Sequence, residues 1–278
     1  LIGPGSQEPL EKYFEFLNDI EPLKNKLAVY IYEPFSQGGS GRHHNAPNFI
    51  HSEGFDSQIN DLTAFVDQIE DLTVDPSPLM LIGHSKGGHY ALRYLQAVEN
   101  SPVSRAVLVA PMLGVSRLKN WMRPGFNLIS SLGLKTRPIP GLDYEGGSLS
   151  QDPVRSLIRQ NWADIGAYKP TKGITFGWLP HAIQSISLVS DSCRLRKIKI
   201  PVDMIRAGED RVVDNEAIFD AARHIENANL ITIEGAWHDL WMEKDRYRKP
   251  FMKAISHFIS HPSSSRPEIK SRLDSPGL

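Results

Sequence analysis

Three residues in this chain have side chains able to share one piece of chemistry: Ser85, Asp210 and His238. A serine hydroxyl is a poor nucleophile near neutral pH. An imidazole beside it takes the proton as general base and returns it to a leaving group as general acid. A carboxylate on the far side of the imidazole fixes its tautomer and stabilises the imidazolium. Ser85 stands in Gly83-His84-Ser85-Lys86-Gly87, a G-x-S-x-G sequence. That motif exposes a serine hydroxyl on a strained turn between a strand and a helix, and aims the next backbone N–H at a developing oxyanion. Gly83 and Gly87 leave room for strand and helix to pass closely, and Gly88 helps the helix leave the sheet.

Each member of the trio competes with other residues. There are ten histidines, and His238 stands out because it follows the last predicted strand. His84 adjoins the serine but faces away from the position of a base. His43, His44 and His51 lie in a loop, where structural roles are expected. For the acid, Asp203 falls mid-strand, Asp214 has the position of a helix N-cap, and Glu209 adjoins Asp210. A second oxyanion donor is expected from the first loop, Pro4-Gly5-Ser6, at the N–H of Ser6, to act with that of Lys86.

The elements that must position these residues alternate between two periods. Leu27 to Tyr32, Leu79 to Ile82, Ala106 to Ala110, Ile200 to Ala207 and Leu230 to Ile233 are short β-rich runs. Between them, Tyr13, Phe14, Phe16, Leu17 and Ile20 predict one amphipathic helix. Phe55, Ile59, Leu62, Val66 and Ile69 predict the buried face of another. Further helices are predicted after Gly88, over about 215–225, and around Phe251, Ile255, Phe258 and Ile259. The alternation implies a parallel α/β sheet, whose strand ends bring distant loops to one edge.

From Met112 to about Lys199 the alternation stops, and Trp121, Trp162 and Trp178 fall in that block. It reads as a mainly helical cap, residues 112–199, inserted into a core of residues 1–111 and 200–260. The Ser/Pro/charge-rich stretch 261–278 reads as a disordered tail. The chain opens with Leu1-Ile2, as though entering at a strand end, which suggests that earlier strands precede it.

Bulk composition narrows the function class. The net charge is −1 over 278 residues, which disfavours nucleic acid as a partner. A lone cysteine, Cys193, forbids an intrachain disulfide and agrees with a cytoplasmic setting. No apolar run approaches the ~18 residues of a membrane span. The Gly-rich run Gln37-Gly38-Gly39-Ser40-Gly41-Arg42 lacks the Lys-Ser/Thr ending of a phosphate loop.

Several stretches together resemble the lysophospholipase L2 / monoacylglycerol lipase branch of the serine α/β-hydrolases. They are Gly5-Ser6-Gln7-Glu8, Gln37 to Arg42, Gly83 to Gly88, Ala110-Pro111-Met112, Thr175 to Leu179, Ala207 to Val213, and Gly235-Ala236-Trp237-His238. The resemblance implies the α/β-hydrolase fold: a mostly parallel central sheet flanked by helices, with an inserted helical cap. It also implies hydrolysis of one acyl chain from a glycerol backbone, without metal or organic cofactor. The expected substrate is a lipid monoester, with transient contact at a membrane surface. Trp178 and Trp237 are the candidates for contact with the acyl chain. The branch usually has Met after the nucleophile, where this chain has Lys86. A charge there would favour an oxyanion and oppose an imidazolium. The alternatives are a non-catalytic binding member of the fold, or a hydrolase of small esters or thioesters.

Overall fold

The computed structural model describes residues 1–23, 26–72, 78–115, 120–140, 149–166 and 169–260. The tail expected at 261–278 lies outside them.

Among the described residues, five parallel strands form one sheet in simple sequence order. They are β1 (Ile2–Gly3), β2 (Leu79–His84), β3 (Val103–Val109), β4 (Val202–Ala207) and β5 (Ala228–Ile233). Alternation along each strand sends residues to opposite faces. Leu81, Ala106, Leu108, Val202 and Met204 join a core with α2 (Phe55–Leu72), α3 (Lys86–Ala97), α6 (Trp178–Val189) and α8 (Asn215–His224). Ile82, Val107, Val109, Ile205, Ala207 and Ile233 face the other way, onto Phe16 of α1 (Phe14–Asp19) and Phe251, Ile255 and Phe258 of α9 (Asp245–Ser260). A parallel sheet covered on both faces explains why its strands read as nearly continuous apolar runs. The five periodic residues of α2 are all buried.

One predicted strand is only partly realised. Leu27 to Tyr32 runs alongside β1, with Ile2 N–H donating to the Tyr30 carbonyl at 2.8 Å and Tyr32 N–H to the Ile2 carbonyl at 3.0 Å. It makes a single parallel bridge, Ile2 to Ile31. Its partner β1 is two residues long, so no longer ladder can form on it.

Between β3 and β4 lie α4 (Arg123–Ile129), α5 (Pro153–Asp164), α6 and α7 (Ser192–Leu195). Of these, α6 is fastened to the side of α3. Ser185 Oγ lies 2.7 Å from His89 Nε2 and accepts from Arg93 Nη1 at 2.6 Å, and Gln96 Nε2 donates to the Val189 carbonyl at 2.8 Å. This part of the insertion therefore lies against a helical layer of the core.

Candidate active site

The elbow is built as tightly as its glycines suggest. Ser85 sits at φ 52°, ψ −116°, a region costly for a side-chain-bearing residue and kept only where neighbours enforce it. Here the enforcement is visible: Ser85 N–H donates to the Val109 carbonyl at 2.9 Å, while its own carbonyl accepts from Met112 at 2.9 Å and His89 at 3.0 Å. A Cβ on Gly83 would lie 2.7 Å from the Gly87 carbonyl oxygen, and one on Gly87 would collide with the Gly3 carbonyl. The first loop thus lies directly against the start of α3, where the first N–H groups, Lys86 included, have no intrahelical acceptor.

The strand ends bring three loops together. His238 Nε2 lies 2.9 Å from Ser85 Oγ, and His238 Nδ1 lies 2.8 Å from Asp210 Oδ2. Asp210 Oδ1 is occupied by the N–H groups of Val212 and Val213, at 2.8 and 2.9 Å, so the carboxylate cannot rotate away from the imidazole. Burial pushes the Asp210 carboxyl upward, but the His238 charge, its hydrogen bond and the two amides outweigh that and hold it below the ordinary value. Burial likewise depresses His238, and the Asp210 carboxylate, aided by the charges of Asp239 and Glu8, more than reverses it, leaving the imidazole above its ordinary value.

The competing residues fall elsewhere. Asp203 is on β4, hydrogen-bonded by Asn229 at 3.1 Å. Asp214 caps α8 through Glu216 N–H at 3.0 Å. His51 Nδ1 meets Thr175 Oγ1 at 2.8 Å, and its Nε2 shares Glu53 Oε1 with His43 and Lys135.

Beneath the three residues lies a buried ionic cluster. Glu8 Oε1 contacts Lys12 Nζ at 2.6 Å and His84 Nδ1 at 2.7 Å, and Glu8 Oε2 accepts from Gly5 N–H at 2.6 Å and Tyr13 OH at 3.1 Å. Lys12 Nζ also lies 2.7 Å from Asp239 Oδ1. Glu8, His84 and Asp239 are close enough together to hold a cation, and the Lys12 ammonium supplies one.

The Lys86 side chain turns inward. Its Nζ donates to Gln37 Oε1 at 2.7 Å and lies 5.7 Å from the Tyr90 ring centre. Burial pushes the ammonium down to about 7. Gln37 Nε2 in turn donates to the Gly5 carbonyl at 2.8 Å. Glu8 stood in one of the family-like stretches, but nothing in the sequence marked its ionic contact with Lys12 beyond their i, i+4 spacing. Gln37 was hidden in a Gly-rich run.

The two tryptophans proposed for acyl contact part company. Trp237 lines a cavity of about 730 Å³ together with Gln7, Ser150, Gln151, Arg159 and Lys244, and Arg211 lies over its ring at 4.0 Å. Trp178 is 5% exposed and packs against Phe55 in the core, outside that cavity. It stands at the first turn of α6, against α2.

A parallel sheet, a strained serine at a strand–helix corner, and Ser…Asp…His in chain order define the α/β-hydrolase class. The chain belongs to the serine aminopeptidase S33 family, whose model matches residues 1–245. It is 28% identical over 291 aligned positions to the lysophospholipase L2 of Escherichia coli K12, spanning 95% of this chain and 81% of that protein. Among solved structures, a soluble variant of the Saccharomyces cerevisiae monoglyceride lipase superposes with a TM-score of 0.76 at 15% identity, covering 95% of this chain and 87% of that one. The Paleococcus ferrophilus monoacylglycerol lipase superposes at 0.72 with 16% identity, over 94% and 93% of the two chains.

Proposed function

We propose that this chain is a carboxylic ester hydrolase that removes the single acyl chain of a lysophospholipid or monoacylglycerol through an acyl-enzyme. The observation that carries the reading is His238 bridging Ser85 Oγ and Asp210. His238 takes the hydroxyl proton as Ser85 Oγ adds to the ester carbonyl. It returns that proton to the departing glycerol oxygen, leaving an acyl-serine. Water then adds by the same route and frees the fatty acid. Asp210 keeps the imidazole oriented and stabilises its charged form. The N–H groups of Ser6 and Lys86 bind the oxyanion.

The lipid part of the reading draws on the relatives' names, on the Trp237 cavity beside the His238 loop, and on the surface of the insertion. Val154, Leu157, Ile158 and Ile165 repeat at helical spacing along and just beyond α5, all exposed, and Trp121, Leu128 and Leu132 are 79%, 62% and 69% exposed. Such a concentration of exposed apolar side chains suits contact with a lipid surface. No helix of the described residues is long and apolar enough to cross a membrane. The insertion is then a cap that meets the lipid while the core does the chemistry.

A fluorophosphonate probe tests the chemistry: labelling of the wild type and none of Ser85→Ala is expected. Absence of labelling in the folded wild type would instead favour a non-catalytic binder. p-Nitrophenyl esters of rising chain length, then a panel of lysophospholipids and monoacylglycerols, test the substrate. Flat activity across chain length would remove the acyl pocket.

A further inference from the structure

The buried relay from Lys86 through Gln37 makes its short bond to one peptide unit, at the Gly5 carbonyl, with a longer contact of 3.4 Å to the Glu8 carbonyl, and the Gly5 unit carries more than a structural carbonyl. The Gly5 C=O and the Ser6 N–H belong to the same peptide. Among the described residues no peptide is cis, and in a planar trans unit the carbonyl and the N–H point in opposite directions. Holding the Gly5 carbonyl on Gln37 Nε2 at 2.8 Å therefore fixes the direction of the Ser6 N–H. Glycine leaves this peptide free to flip, so the direction needs enforcing. The preceding N–H, that of Gly5, is enforced separately by Glu8 Oε2 at 2.6 Å.

The relay also decides which way round Gln37 sits. A glutamine amide presents a donor at one end and an acceptor at the other, and the two ends are nearly equal in shape. Reversed, it would set an oxygen against the Gly5 oxygen. An amine head that donates to it makes only one orientation favourable, because the oxygen must face the Lys86 Nζ at 2.7 Å. Lys86 and Gln37 are each 1% exposed, so bulk water does not compete for these bonds. A flipped Gly5–Ser6 peptide would aim a carbonyl oxygen where negative charge develops.

We infer that Gln37 and the Lys86 side chain are positioning residues for the oxyanion hole, holding the Gly5–Ser6 peptide with its N–H toward the reacting carbonyl. The inference rests on the hydrolase reading, with Ser6 and Lys86 N–H as the two donors. Lys86 then governs both halves of the hole: its main chain supplies one donor, and its side chain orients the other through Gln37.

Gln37→Glu tests this with least disturbance. It keeps the size of the side chain and an acceptor for Lys86, removes the donor to the Gly5 carbonyl and its longer contact at 3.4 Å to the Glu8 carbonyl, and sets its added charge against the Lys86 amine. The expected result on a p-nitrophenyl ester is a fall in kcat of ~10²-fold, the scale of a lost oxyanion donor, with KM within about twofold. A trifluoromethyl ketone, which captures Ser85 as a tetrahedral adduct, should lose affinity by the same factor, which a general loosening of the fold would not produce. Lys86→Met should lower kcat by itself but add nothing on a Gln37→Leu background, as expected of residues acting in series. Unchanged kcat and ketone affinity in folded Gln37→Glu overturns the inference, as does a double variant whose losses multiply. The latter comparison decides the matter if Gln37→Glu does not fold. A wild type that neither hydrolyses esters nor labels with fluorophosphonate would instead sink the hydrolase reading.

Discussion

Glu8 Oε1 lies 2.7 Å from His84 Nδ1, and the opposite nitrogen of that ring, Nε2, lies 3.3 Å from the carbonyl oxygen of His238. One imidazole at the end of β2 thus spans the first loop, which holds Gly5 and Ser6, and the loop that presents His238. Lys12 doubles the link by joining Glu8 to Asp239, the next residue along. The loops that carry the site converge on a buried cluster of charges below it.

Such a cluster is expensive to break from one side. Glu8→Gln takes the shared anion from His84 and from the Lys12 ammonium, which keeps only Asp239; a buried pair broken outright typically loses about 3–5 kcal/mol, and that is the upper bound here. Urea unfolding at neutral pH should show a loss within it. Burial raises the Glu8 carboxyl, yet His84 and Lys12 together hold it well below the ordinary value. A depressed carboxyl contributes stability that is present above its unfolded value, about 4.3, and lost as pH falls. The gap between wild type and Glu8→Gln should therefore narrow on acidification below that value; a gap independent of pH would mean that Glu8 is not ionised in the folded protein.

The rate should follow the imidazole. The Asp210 carboxylate, with Asp239 and Glu8 behind it, overcomes burial to raise His238 above its ordinary value, and only the neutral ring serves as base. The acid limb of kcat/KM should then lie above the pH of about 6.5 at which a free histidine titrates. Asp210→Asn removes the charge that raises it. The limb should move to lower pH while kcat falls by about 10⁴-fold, the scale seen when the orienting carboxylate of such a trio is neutralised. A limb that stays in place would deny Asp210 its part.

What could be read from residue order was whatever depends on local spacing. Phe55, Ile59, Leu62, Val66 and Ile69 mark a helix face because 3.6 residues make a turn, and the β-rich runs mark strands because both sheet faces are covered. Asp214 was legible as a cap because its position before an apolar repeat is itself the signal. The relay through Gln37 was not legible: its partners Gly5 and Lys86 lie 32 and 49 residues away, and nothing in a Gly-rich run says where its one amide will reach. Trp178 was ambiguous for a related reason. A large aromatic in an insertion suits an acyl wall and a helix–helix contact equally, and residue order says nothing of the docking of α6 on α2 and α3 that buries it. The run from Leu27 to Tyr32 has the composition of a strand, but a ladder needs a partner, and β1 offers two residues.

The elbow makes a steric prediction. Gly83→Ala places a methyl 2.7 Å from the Gly87 carbonyl oxygen and 2.7 Å from the Gly88 Cα, backbone atoms that no rotamer change can move. Strand and helix must separate for it to fit. Overpacking of this kind typically costs about 1–3 kcal/mol or more, and here it also shifts Ser85 relative to His238. Loss of fluorophosphonate labelling with a lowered melting temperature is the expected pair of readouts. Gly125→Ala, inside α4 where a Cβ meets nothing within 4 Å, is the control: it should keep the labelling and leave the melting temperature the same or slightly higher, since alanine suits a helix better than glycine.

Lys86 makes the last prediction, through stability. Burial pushes its ammonium down to about 7, with Glu8 as the countering charge, whereas in the unfolded chain the side chain titrates near 10.4. Below about pH 7 both states hold the proton, and the folded protein bears the full cost of a buried charge. Between those values the unfolded chain still holds the proton and the folded one has released it. Unfolding free energy from this group must then rise with pH, with a slope approaching about 1.4 kcal/mol per pH unit. Lys86→Met cannot titrate, so the difference in stability between wild type and variant should swing toward the wild type from pH 7 to 10. Urea midpoints measured at half-unit intervals would trace it. Parallel curves for the two proteins across that range would mean that the amine keeps its proton when folded, held by Gln37 and the Tyr90 ring strongly enough to offset its burial.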